Sequence, residues 1–172
     1  MSGTAASRAI VVDANILINL LHVGRLALLA ALPGYECIVP EDVVAEITDP
    51  IQRPQLDRAI ADGYLRVETI TEPDELVEYA ALRRTLGRGE AACLVLAARH
   101  GWLVASDEKG RFQREASARL GDGRTVNTAG LFVAAIRAGS ISVKDADQAK
   151  SILEQHRFRL PFKSFGDVLG PP

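Results

Sequence analysis

The chain predicts an α/β domain, a three-layer α/β/α sandwich with helices on both faces of a central, mostly parallel sheet. Three observations carry that expectation. Short apolar, β-branched runs alternate with longer helical stretches through most of the 172 residues. Two of those short runs end on a carboxylate, Asp13 and Asp107. The composition is 48% hydrophobic but only 5% aromatic, which suits helices and short buried strands better than an aromatic-rich β-sandwich.

Arg8 to Asp13 is too brief for a helix and rich in β-branched residues, so it reads as a buried strand. A helix follows, capped by Asn15 and carrying Ile16, Leu17, Leu20, Leu21 and Leu28 until Pro33-Gly34 stops it. Glu36 to Val39 is a second strand. Pro40 then opens a helix with Glu41 and Asp42 in its first turn, where the helix dipole favours acids. Pro50 ends that helix, another runs from about Gln52 to Ala61, and Gly63 precedes a strand from Tyr64 to Ile70. Glu72 to Leu86 is helical, Gly87-Arg-Gly89 breaks the chain, and Glu90 to His100 is a helix closed by Gly101. Trp102 to Ala105 is a strand, Phe112 to Leu120 a helix, and Thr125 to Asn127 a last short strand. Three helical stretches, about Ala129–Ala138, Val143–Gln155 and Phe162–Leu169, finish the chain. We divide it into a main domain, 8–140, and a helical extension, 141–172, packed on the same core. Loose ends are expected at Met1–Ser7 and Gly170–Pro172.

Lysine and arginine number 20 against 22 acids, a net charge of −2, which excludes a purely electrostatic nucleic-acid binder but not a local basic surface. Between Leu82 and Arg124 such a surface is on offer, nine basic residues against five acids, with Arg84, Arg88, Lys109 and Arg111 the favoured phosphate contacts. Cys37 and Cys93 sit in apolar contexts without metal spacing and read as buried hydrophobes. The apolar stretch Ala9–Leu32 is interrupted by Asp13, Asn15, Asn19, His22 and Arg25, so no membrane span and no signal peptide are expected, and the cytoplasm is the expected compartment.

Four acids lie in or beside apolar runs: Asp13, Glu46, Glu90 and Asp107. Gathered at one strand-end crevice they would repel by about 4 kcal/mol per close pair at an effective dielectric near 20. A divalent cation offsets that, and an all-oxygen set without His or Cys suits Mg²⁺ or Mn²⁺. Each acid also has a structural reading: Asp13 and Asp107 as helix caps, Glu46 as a solvated helix residue, Glu90 as a first-turn acid.

From about Ala9 to Gly139 the sequence resembles the PIN-domain nuclease superfamily, including VapC-type toxins of toxin-antitoxin pairs and related solitary PIN proteins. The resemblance rests on Ile10-Val-Val-Asp13-Ala-Asn15, Val39-Pro-Glu-Asp-Val-Val-Ala-Glu46, Leu86-Gly-Arg-Gly-Glu90-Ala-Ala, Leu103-Val-Ala-Ser-Asp107 and Asn127-Thr-Ala-Gly-Leu131, in that order. It implies a parallel-stranded α/β/α fold and metal-dependent endonucleolytic hydrolysis of RNA, leaving 5′-phosphate and 3′-hydroxyl ends. Asp13 would be the central metal ligand, joined by Glu90, where many members carry Asp, and by Asp107. Glu46 would be the second-helix acid of the catalytic set. Ser106 matches the small hydroxyl preceding the last acid, while Asn15 and Thr128 would hold site water or phosphate. The fifth-acid place found in some members is left unfilled, although Glu108 adjoins it.

RNA, an antitoxin protein and a second copy of the chain are the partners this implies. Rival readings are a phosphotransfer domain with strand-end acids and a catalytically degenerate PIN-fold RNA-binding module. A phosphatase with a strand-end Asp nucleophile needs a second Asp two residues on, and that place holds Asn15. Arg157–Lys163 mixes basic and aromatic residues, so Phe158 and Phe162 either stack bases or pack a C-terminal helix.

Overall fold

A computed structural model describes residues 8–170. Five parallel strands form one sheet in the order β3-β2-β1-β4-β5: β1 Ala9–Val12, β2 Glu36–Pro40, β3 Arg66–Glu68, β4 Leu103–Ala105 and β5 Thr125–Val126. The chain is an α/β protein of three-layer, PIN-like architecture. β1 is central and every one of its residues is buried, as a strand covered on both faces requires. Its register sets Val12 beside Ala105 of β4. The strand order reverses between β1 and β4, which is where open α/β sheets leave a crevice at their carboxyl ends.

Ten helices are described: α1 Ala14–His22, α2 Ala27–Ala30, α3 Glu41–Glu46, α4 Gln52–Ala61, α5 Pro73–Leu82, α6 Arg88–His100, α7 Arg111–Leu120, α8 Thr128–Arg137, α9 Val143–Gln155 and α10 Phe165–Leu169. α6 packs on β1, β2 and β4. Its small residues Gly89, Ala91, Ala92, Cys93 and Ala97 are buried and let the helix approach the sheet closely. Leu26, Leu28, Leu29 and Leu32 all join the core.

Several boundaries differ from the sequence expectation, each for a local reason. The single helix expected after β1 is two, because the chain turns at Gly24 with φ +64°. Its cap is Asp13, whose carboxylate accepts from the Ala14 N–H, and Asn15 is already inside the helix. The strand expected over Tyr64–Ile70 shrinks to three residues because β3 is an edge with a partner on one side only. α5 stops at Leu82, and the loop after it is tied by Arg83 to the Leu86 carbonyl (2.8 Å) and by Arg111 to the Thr85 carbonyl (3.1 Å). α10 starts at Phe165 because Ser164 caps it.

The C-terminal helices share the core. α9 contacts α1 and α8, and Asp147 accepts from the Ser164 hydroxyl and the Phe165 N–H at 2.7 and 2.8 Å, tying α10 to α9. Phe162 meets Phe165 edge-on with ring centroids 5.0 Å apart, and Phe158 packs against the core, so both aromatics pack the tail. Among the described residues no helix is long and apolar enough to cross a membrane. The loose ends expected at Met1–Ser7 and Pro171–Pro172 lie outside the described residues.

Candidate active site

The site builds outward from Asp13. β1 ends at Val12, and the Asp13 N–H continues its ladder by donating to the Ala105 carbonyl (3.0 Å), so Asp13 and Ser106 leave adjacent strands side by side. The Asp13 side chain is only 3% exposed. One carboxylate oxygen accepts from the Ala14 N–H (2.8 Å); the other accepts from the Ser106 hydroxyl (2.9 Å) and the Asn15 amide (3.3 Å). Burial nevertheless pushes this carboxyl up to about 6, and the charges of Glu90 and Glu46 add to the rise.

Glu46 closes α3, and its carboxylate reaches across to accept from the Gly89 N–H at 2.8 Å. It is therefore anchored and not merely solvated. Glu90, one residue further along α6, turns back to accept from the Gly87 N–H at 2.7 Å. Both acids thus occupy backbone donors at the start of α6, at the positive end of its dipole. The approach is tight at Gly89: a Cβ there would lie 2.7 Å from the Glu46 Oε1 and 3.0 Å from a Val43 methyl, so Glu46 could keep this bond only by shifting. One turn on, the buried Cys93 thiol is raised well above its ordinary value, by burial first and then by Asp13, Glu46 and Glu90. It remains a neutral, packed thiol.

Asp107 is held differently. Its carboxylate accepts from the Thr128 N–H (2.9 Å), the Thr128 hydroxyl (2.5 Å) and the Asn19 amide (3.0 Å), which seats it on the N-terminus of α8. Asn15 links this half to Asp13. Its amide donors face Asp13, Ser106 (3.4 Å) and Glu108 (3.1 Å), while its carbonyl accepts from the Asp107 N–H (3.1 Å).

Two residues escaped sequence reasoning. Glu108, named only as a neighbour of the unfilled place, is tied to the edge of the site by the Asn15 amide. Asn19, 7% exposed, ties Asp107 to Thr128. Its signal was a polar residue one turn after Asn15 on an otherwise apolar helix.

As they stand, no three carboxylate, histidine or cysteine side chains among the described residues are gathered closely enough to hold an ion. Each acid instead occupies its own hydrogen-bond donors. The donor set fits a hard divalent cation all the same: it is all oxygen, and Asp13 carries a burial and repulsion penalty that positive charge would remove.

Of the four basic residues favoured for RNA, two are engaged. Arg88 is paired through two nitrogens with Asp42 (3.1 and 2.8 Å), and Arg111 holds the Thr85 carbonyl. Arg84 and Lys109 are exposed, with no side-chain partner among the described residues.

The sequence family described as a PIN domain matches residues 9–170. The chain belongs to the PIN-domain family. Its fold is therefore of nuclease type, in a family whose nucleases generally bind nucleic acid and use divalent metals. The match runs through α9 and α10. No curated protein matches the chain.

Proposed function

We propose that this PIN domain is a Mg²⁺- or Mn²⁺-dependent endoribonuclease that hydrolyses RNA phosphodiester bonds and leaves 5′-phosphate and 3′-hydroxyl ends. The observation that carries the reading is Asp13: a carboxylate buried at the topological switch point, raised to about 6 with Glu90 and Glu46 acting on it. Asp13, Glu90 and Asp107 would hold the ion, with Glu46 completing the acidic set. When bound, the ion lowers the pKa of water and neutralises charge on the phosphate oxygens.

The remaining residues have positioning work. Ser106 and Asn15 fix the Asp13 carboxylate, Thr128 and Asn19 fix Asp107, and the α6 N-terminus fixes Glu46 and Glu90. Arg84 and Lys109, both exposed, would take phosphates of the incoming strand. The reading extends to a toxin of a toxin-antitoxin pair acting in the cytoplasm, with an antitoxin protein or a second copy of the chain as protein partners.

The test is cleavage of single-stranded RNA by purified protein in Mn²⁺ or Mg²⁺, with calorimetric titration of the metal alone. Metal binding and cleavage that both vanish in Asp13→Asn support the reading. RNA binding without metal binding or cleavage would move the protein to the non-catalytic RNA-binding module.

A further inference from the structure

At the opposite edge of the sheet, where the strands begin, lies a cavity of about 390 Å³ lined by Arg8, Ala9, Tyr35, His100, Gly101, Trp102, Leu103 and Arg124. That volume falls in the range of small-ligand sites. No carboxylate is among its lining residues. Trp102, the chain's only tryptophan, is stacked on His100 with ring centroids 4.1 Å apart and planes 18° from parallel. Arg124 is held at the cavity by donating to the Gly101 carbonyl, while the Arg8 side chain is exposed and has no partner among the described residues. Glu75, on α5, sits 3.7 Å from the His100 ring nitrogen and steadies the stack from outside the cavity.

We infer that this cavity is a second nucleotide site, separate from the acidic site, which takes a base by stacking on the His100–Trp102 pair and its phosphate on Arg8 and Arg124. The chemistry is that of flat aromatic surface beside cations with no carboxylate partner among the described residues, which recognises a ligand carrying both a π-face and a phosphate. A neutral aromatic compound would use the stack alone and inorganic phosphate the arginines alone, so a nucleotide satisfies the whole lining. The ligand is either a free mononucleotide or the phosphorylated end of an RNA strand.

Because Trp102 is the sole tryptophan, its fluorescence reports occupancy directly. The full-length protein is titrated in EDTA, where metal-dependent cleavage cannot intervene, with adenosine and guanosine monophosphates, with the parent nucleosides, with inorganic phosphate, and with a short single-stranded RNA with and without a 5′-phosphate. Saturable quenching by mononucleotides, at least 10-fold weaker with nucleosides, identifies a free nucleotide as ligand. Quenching by the 5′-phosphorylated RNA alone identifies a strand end. Arg8→Gln, whose side chain has no partner among the described residues, should weaken either response about 10-fold and, for the RNA strand, flatten the salt dependence by about 0.7 in log–log slope. Asp13→Asn should leave the response unchanged, so failure of the nuclease reading and failure of this site are told apart. By calorimetry, Trp102→Ala should weaken binding by about 5- to 100-fold, the range of one base stack. The proposal is overturned if no nucleotide or RNA changes the fluorescence at millimolar concentration, if Arg8→Gln responds like wild type, or if Asp13→Asn abolishes the signal.

Discussion

The two rims of the sheet carry opposite chemistry. At the carboxyl ends of the strands, Asp13, Glu46, Glu90 and Asp107 meet helix N-termini and amide side chains. At the amino ends, Arg8 and Arg124 flank the His100–Trp102 stack without a carboxylate among the lining residues. Parallel topology explains why one rim collects acids: every strand leaves the sheet in the same direction, and helix N-termini arrive there to stabilise negative charge. The opposite rim receives helix C-termini, such as the His100–Gly101 end of α6, where cations are favoured. One rim stores unfavourable charge that calls for a cation; the other offers an opening for an anion.

The sharpest way to break this contrast is Asp13→Asn. Cleavage should fall by at least a thousandfold, which gel assays of RNA products would measure. Metal-free stability should move the other way. The folded carboxyl titrates at about 6 against about 3.9 when unfolded, so the folded chain holds this proton more tightly and loses stability through this group as pH rises from about 4 to 6. The substitution should therefore stabilise the metal-free protein by up to about 3 kcal/mol above pH 6, with the gain vanishing near pH 4. Denaturant melts at pH 4.5 and 7.5 check this, and destabilisation at both would mean that capping α1 outweighs the burial and repulsion at Asp13.

Gly89→Ala ranks next. Its new methyl would lie 2.7 Å from the flexible end of Glu46 and 3.0 Å from a methyl of the buried Val43, so Glu46 must give up its bond to the Gly89 N–H, and a loss of about 1 kcal/mol and weakened metal binding are expected. Gly87→Ala is the matched control, since its Cβ would stand 3.2 Å from the end of Glu90 with no buried side chain against it and should cost within about 0.5 kcal/mol. Equal melting temperatures for the two variants would dissolve the claim that Glu46 is locked onto α6.

Asn15→Ala removes the link between Asp13, Asp107 and Glu108. Metal affinity should drop by about 10- to 100-fold, as for other supports of metal ligands, with little change in melting temperature. Calorimetry with Mn²⁺ reads it.

The smallest effects belong to the basic surface. Arg84→Ala and Lys109→Ala should each flatten the salt dependence of RNA binding by about 0.7, whereas Arg88→Ala should do less because Asp42 already neutralises it. Equal slopes for all three would place the strand elsewhere.

Much of this arrangement is legible in the sequence. Apolar β-branched runs that end on Asp13 and Asp107 announce strand ends, because a carboxylate cannot continue into a core covered on both faces. Gly87-Arg-Gly-Glu90 announces a helix start, and the ordered set of segments announces the family. What the sequence could not display were partnerships across long separations. Glu46 and Gly89 meet across 43 residues, and Asn15 and Glu108 across 93. The pairing of Arg88 with Asp42, the seat of Asp107 on α8 and the assembly of Arg8, Trp102 and Arg124 at one rim are likewise products of strand order. Local residue chemistry, acting over a few positions, determines where strands and helices begin and end. Which side chains then share a hydrogen bond or a cavity depends on how β1, β4 and the helices between them are brought together, and only the packed sheet decides that.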